Sequence, residues 1–199
     1  MIGIIDYGSG NFTSVFNAVF SLSTDIKIIS KPEDFDKTTH IILPGVGAFG
    51  SSMKKVEELN LKDELENQVL VNKKPYLGIC VGMQMIGEEG LEFGRTKGFN
   101  WVDCKVEQLC NEMLPHIGWN ELDINEEIDI LKGIKNKSTF YFVHSYAIKK
   151  INDSSKVVHT DYDEKFVSVI QKDNVFGVQF HPEKSQDFGL KLLQNFITL

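Results

Sequence analysis

The chain has only three cysteines in 199 residues, Cys80, Cys104 and Cys110. An odd count in so long a chain argues against a disulfide framework and for a reducing compartment. Cys104 and Cys110 have no histidine spaced to complete a zinc site, so both read as structural. Cationic residues are also scarce. Lys and Arg total 21 against 28 Asp and Glu, a net charge of -7, and Arg95 is the sole arginine. Without a concentrated basic patch, nucleic acid and anionic membrane are excluded as main partners. No apolar run reaches the roughly 18 residues of a membrane span. Met1-Ile2-Gly3-Ile4-Ile5 is apolar, but it is too short for a signal peptide and lacks a basic start. A cytoplasmic location follows as the expectation. No internal repeat, low-complexity tract or linker-like stretch divides the chain, so residues 1–199 read as a single domain.

With 42% hydrophobic and 11% aromatic residues, the chain has material for a full core. Ile2–Asp6 reads as a buried strand ending in the turn Tyr7-Gly8-Ser9-Gly10-Asn11. Phe12, Val15, Phe16 and Val19 then mark one helical face. Further strands are expected at Ile26–Ile29, His40–Leu43 and Pro75–Cys80. Helices are expected from about Ser51 to Asn72, from Gly82 to Glu88, and over Gly189–Thr198. After about residue 98 only short strand-like runs follow: Phe99–Cys104, Ile117–Leu122, Thr139–Ile148, Lys156–Thr160, Phe166–Gln171 and Val175–Phe180. The expected fold is α/β, with a mostly parallel central sheet flanked by helices and an antiparallel or mixed β extension in the C-terminal half.

Chemistry concentrates in two places. Gly78-Ile79-Cys80-Val81-Gly82 sets a cysteine between glycines at a strand-to-helix junction, the pattern of a nucleophile elbow with sulfur for oxygen. A following helix N-terminus would favour the thiolate, and the Val81 N–H would face a developing oxyanion. A buried structural cysteine fits those five residues about equally well. Far downstream, His181-Pro182-Glu183 ends a strand. Its imidazole is a candidate base for the thiol and its carboxylate a candidate orienter. A lone His-x-Glu is most often solvated surface, so the pairing with the elbow carries the weight.

Five further blocks accompany these: Asp6–Asn11, Pro44–Phe49, Pro115–Asn120, Phe140–Tyr146 and Gln179–Ser185. Together with Cys80, Met83-Gln84 and His181-Pro182-Glu183, they resemble class I (triad) glutamine amidotransferases. Within that family they are similar to the glutaminase subunits of imidazole glycerol phosphate synthase. The resemblance implies a flavodoxin-like fold and a catalytic triad of Cys80, His181 and Glu183. It also implies an oxyanion strand over Gly45, Val46 and Gly47 acting with Val81, and substrate-holding segments at Gln84 and His144-Ser145-Tyr146. Asn11, Trp119, Asn120, Tyr141 and Lys184 would meet a (β/α)8-barrel cyclase subunit in a heterodimer. The substrate would be L-glutamine, with no metal or organic cofactor.

Plainer readings stand beside these. Gly45 and Gly47 suit a simple turn, Asn11 a helix cap, Trp119 and Asn120 strand anchors, and Tyr141 or Phe142 core packing. A second functional reading keeps the glutaminase chemistry but sends the ammonia to amidation of a surface-polysaccharide sugar. A non-catalytic scaffold would not need Cys80, His181 and Glu183 together. A peptide-cleaving cysteine hydrolase leaves Gln84 and the Pro44–Gly47 strand without a job.

Overall fold

The computed structural model describes residues 1–110 and 112–199. The elements run β1 (Ile2–Ile5), α1 (Phe12–Phe20), β2 (Ile26–Ile29), β3 (His40–Leu43), α2 (Phe49–Glu58), α3 (Leu61–Glu66), β4 (Tyr76–Ile79) and α4 (Val81–Gln84). They continue with β5 (Glu89–Gly90), β6 (Thr96–Lys97), β7 (Cys104–Gln108), β8 (His116–Glu121), β9 (Thr139–His144) and β10 (Tyr146–Ile151). The chain closes with β11 (Lys156–Tyr162), β12 (Glu164–Lys172), β13 (Val175–Val178) and α5 (Gln186–Ile197). Seven strands form the main sheet in the order β11-β12-β13-β4-β3-β1-β2. The five from β13 to β2 are parallel, and β12 and β11 join antiparallel at one edge. Strands β1 and β4 are buried at every position, which is why they read as continuous apolar runs without alternation. The antiparallel extension is more than an added edge. Strands β10, β7, β5 and β6 make a second sheet, and β8 with β9 a third.

Three expected elements differ, each for a backbone reason. The helix expected over residues 51–72 breaks after α2, where Asn60 turns left-handed at φ 55°, a conformation asparagine tolerates better than most residues. It resumes as α3 and ends in a wide turn over Asn67–Val71. The helix expected from Gly82 to Glu88 is the single turn α4. Its continuation is blocked because Phe99, Asn100 and Trp101 donate their N–H groups to the carbonyls of Met85, Gly87 and Ile86. The same bonds explain why Phe99–Cys104 is not a strand: its backbone is spent on the end of α4, and pairing begins only at Cys104. Thr139–Ile148 splits at Ser145, with β9 pairing β8 and β10 pairing β7.

The topology sets the stage for a site. Strand β1 lies between β2 and β3, so successive crossovers leave it in opposite directions. A crevice opens at the carboxyl ends beside such a reversal. Asp6 follows β1, Pro44 follows β3, Cys80 follows β4, and Gln179–His181 follow β13. Every block singled out in the sequence, apart from those on β8 and β9, sits at that rim.

Candidate active site

Cys80 occupies the tight turn between β4 and α4, at φ 54° and ψ -107°, a strained backbone for a residue with a Cβ. The flanking glycines explain how the turn closes. A Cβ on Gly78 would come within 2.4 Å of the Gly82 carbonyl oxygen, and one on Gly82 within 2.0 Å of the Leu43 oxygen. The turn thereby lifts the sulfur to the floor of a cavity of about 140 Å³, where Cys80 is 4% exposed. Val81, as the first residue of α4, has no intrahelical acceptor for its N–H.

His181 reaches the same cavity from the end of β13, with Glu183 buried behind it. His181 Nδ1 lies 2.8 Å from Glu183 Oε1, and the carboxylate side chain is wholly buried. With Nδ1–H donated to the carboxylate, Nε2 is the nitrogen left to face the sulfur. Burial alone would drive the imidazolium pKa down. The Cys80 sulfur and the Glu183 carboxylate outweigh it and push the pKa up to about 10. Backbone bonds hold the dyad in place: His181 N–H donates to the Tyr141 carbonyl at 2.9 Å, and Ser185 Oγ donates to the His181 carbonyl at 2.6 Å.

Asn11 is the clearest difference from expectation. It makes no capping bond to α1. It is also turned away from any exposed face, being 3% exposed. Its Nδ2 donates to Glu183 Oε1 at 2.9 Å, so Asn11 supports the carboxylate. The residues that do present a surface are Trp119, 47% exposed, and half-buried Tyr141, paired across β8 and β9 with rings 5.9 Å apart. Phe142, on the opposite face of β9, is core. Lys184 is exposed at the cavity rim. Asn120 is half-buried and donates to the Asp161 carbonyl at 2.9 Å.

The Pro44–Gly47 segment crosses the mouth. Gly47 has φ 102°, with open space where a Cβ would stand, a conformation costly for other residues. The Val46 N–H donates to Ser9 Oγ at 3.2 Å and so is not available to a ligand in the cavity. On the far wall the break at Ser145 turns His144, Ser145 and Tyr146 into the cavity alongside Gln84. Gln84 Nε2 donates to the Tyr146 carbonyl at 2.8 Å and to Gln179 Oε1 at 3.1 Å.

Three participants have no individual role in the sequence reading, although His116 and Gln179 fall within the Pro115–Asn120 and Gln179–Ser185 blocks. Glu92 lines the cavity and accepts the Phe49 N–H at 2.8 Å. Gln179 is fully buried beneath Cys80. His116 lies 3.2 Å from His144 Nε2 and stacks on Tyr162 at 3.9 Å. The hydrogen-bond directions follow from the ends. The Tyr146 carbonyl only accepts, so His144 donates through Nδ1 at 3.1 Å and receives at Nε2 from His116 Nδ1. His116 Nε2 in turn receives from Asn120 Nδ2 at 3.3 Å. Burial pushes both rings down, His116 to about 4 and His144 to about 3, so both are neutral carriers of a fixed tautomer. Burial likewise pushes the Cys104 thiol up to about 12, leaving it an inert core residue.

Residues 3–199 match the family model of class-I glutamine amidotransferases. The chain belongs to the class-I glutamine amidotransferase family. Among amidotransferase relatives, imidazole glycerol phosphate synthase subunit HisH 1 of Campylobacter jejuni is 46% identical over 202 residues, covering 100% of both chains. Subunit HisH of Pelagibacter ubique is 43% identical, covering 100% of this chain and 99% of its own. HisH of Methanocaldococcus jannaschii is 44% identical, covering 100% of both. Among solved structures, PurLQS from Thermotoga maritima superposes with a TM-score of 0.78 at 17% identity, covering 99% of this amidotransferase and 97% of that chain. That likeness concerns the fold alone. Among the described residues, no helix is long and apolar enough to cross a membrane.

Proposed function

We propose that this chain is the glutaminase subunit of an imidazole glycerol phosphate synthase, hydrolysing L-glutamine to L-glutamate and delivering ammonia to a (β/α)8-barrel cyclase subunit. The observation that carries the chemistry is the meeting of the Cys80 elbow in one cavity with His181, itself held by Glu183. Full-length identity to HisH subunits supports the pathway. The names of these relatives do not favour ammonia supply for sugar amidation. The Cys80 sulfur attacks the side-chain amide carbon of glutamine, and the carbonyl oxygen takes up negative charge facing the Val81 N–H. His181 delivers a proton to the amide nitrogen as the C–N bond breaks, releasing ammonia and leaving a glutamyl thioester. Water then attacks that carbon while His181 takes its proton, and the C–S bond breaks to regenerate the thiolate and release glutamate. The cavity wall carries one carboxylate, Glu92, and one ammonium, Lys184, opposite charges matched to a zwitterionic amino acid.

Trp119, Tyr141 and Lys184 form the partner face in this reading. The oxyanion donors are incomplete while Ser9 holds the Val46 N–H, so hydrolysis is slow until the partner turns the Gly45–Gly47 strand. The test is to purify the chain with its cyclase subunit and measure both half-reactions. Cys80→Ala is expected to abolish glutamine-dependent synthesis and to leave ammonia-dependent synthesis intact. Equal loss of both would refute the division of labour.

A further inference from the structure

Gln179 was given no part in the chemistry above, yet it is fully buried directly against the nucleophile. Its Nε2 lies 3.6 Å from Cys80 Sγ, within reach for a bond to sulfur. The direction of that bond is dictated from the far end of a short line. The Tyr146 carbonyl cannot donate, so the amide atom of Gln84 facing it at 2.8 Å must be nitrogen. The same nitrogen also faces Gln179 at 3.1 Å, so the Gln179 atom it meets must be the oxygen. The remaining Gln179 atom, aimed at sulfur, is then the N–H₂ group.

We propose that Gln179 is a positioning residue for the nucleophile: its N–H holds the Cys80 sulfur in place and stabilises it as the thiolate. Besides the His181 imidazole, which also faces the sulfur, the Val143 carbonyl lies 4.0 Å from it. That carbonyl can only receive a thiol proton and has nothing to give a thiolate. Deprotonation therefore exchanges a long thiol-to-carbonyl contact for a charge-assisted bond from Gln179, the stronger of the two. Buried amides need partners on both sides. Gln84 supplies the second partner, so the donor cannot turn away without stranding its own oxygen. This role rests on the glutaminase reading for its purpose but not for its geometry.

The test follows the sulfur itself. The full-length protein, alone and with its cyclase partner, is treated with iodoacetamide across a pH series. Modification of Cys80 is read by peptide-resolved mass spectrometry, which separates it from exposed Cys110. The titratable groups around the sulfur are His181, His144, Tyr146, Glu92 and Lys184 lining the cavity, Glu183 behind His181, and Tyr7, and every variant keeps them. Gln179→Met is expected to slow Cys80 alkylation at neutral pH about ten-fold and to move its pH midpoint upward by about one unit, the scale of one lost bond to a charge. Glutamine turnover should fall by a similar factor with KM changed less than about two-fold, while ammonia-dependent synthesis persists. Gln179→Asn keeps the polarity but draws the amide back by one methylene, and it is expected to behave like the methionine variant. A native alkylation profile in either folded variant overturns the proposal. Should Gln179→Met fail to fold, Gln84→Met serves. It leaves Gln179 present but unoriented, and an unchanged profile there is equally fatal. A complex that hydrolyses no glutamine at all would defeat the glutaminase reading, while the alkylation profiles still decide the role of Gln179.

Discussion

Ser9→Ala is a sharp test of how the Pro44–Gly47 segment, proposed as the oxyanion strand, is held. Ser9 is nearly buried, and its Oγ accepts the Val46 N–H at 3.2 Å. Deleting the hydroxyl leaves that N–H unpaired in the arrangement seen here. A turned arrangement that points the N–H at substrate is untouched. A neutral bond of this kind contributes about 1 kcal/mol net, so its loss shifts the balance between the two arrangements about five-fold toward the turned one. Glutamate release by the isolated chain is therefore expected to rise about five-fold at unchanged KM. The rate with a saturating cyclase partner should stay the same if, as proposed, the partner turns the strand and breaks the Ser9 bond. The ratio of stimulated to basal rates then falls by the same factor, and Ser9→Thr should restore it. A coupled glutamate dehydrogenase assay reads both rates. An unchanged basal rate in a folded variant would show that the Ser9 bond does not restrain the strand. A parallel loss of both rates would show that Ser9 serves the active arrangement instead.

Asn11→Ala removes the second donor to a wholly buried carboxylate. It should cost about 2 kcal/mol of stability, seen as a thermal midpoint about 5 °C lower, together with reduced kcat/KM for glutamine. Gly82→Ala would set a methyl within 2.0 Å of the Leu43 oxygen and is expected to cost about 3 kcal/mol or to abolish expression of folded protein. The neutral pair His116 and His144 makes the fold acid-sensitive. Their native pKa values, about 4 and about 3, lie below the ordinary value of 6.5. Their contribution is thus complete above the unfolded pKa and is lost as pH falls toward the native ones. Between pH 7 and 5, urea denaturation should show a loss of about 2 kcal/mol for each histidine. His116→Phe should flatten that slope, and an unchanged slope would refute the assignment of neutral rings.

The parallel half of the sheet was legible because β1, β4 and, after His40, β3 are continuous apolar runs and each ends in a glycine-bearing turn. Such strands need no partner information to be recognised. What failed depended on distant backbone. Nothing local in residues 81–88 announces that the loop after Gly98 will take the carbonyls of Met85, Ile86 and Gly87 and stop the helix after one turn. Likewise Ser145 looks like the middle of one long strand, because the change of sheet is set by β7 and β8, which lie outside that segment. Cys80, His181 and Glu183 were visible through their short patterns. Asn11, Gln179 and His116 fell within the recognised blocks, but their contacts were not visible, because an amide or a neutral imidazole acquires its role only from whichever acceptor the fold places beside it.

The brevity of α4 changes the account of the nucleophile. A long helix behind Cys80 would supply a dipole to favour the thiolate. A single turn supplies little beyond its own free N–H groups, since a macrodipole is a sum over aligned peptides. The stabilisation of charge must then come from side chains brought in by other strands: the imidazole held by Glu183 and Asn11 on one side, and the Gln179 amide on the other. Both arrive on the segment leaving β13, which pairs in parallel with β4 through Val178 and Ile79. A one-residue slip in that pairing would turn Gln179 away from the sulfur, because neighbouring strand residues face opposite sides. The register of two buried strands, more than the helix that follows, therefore sets how reactive Cys80 is.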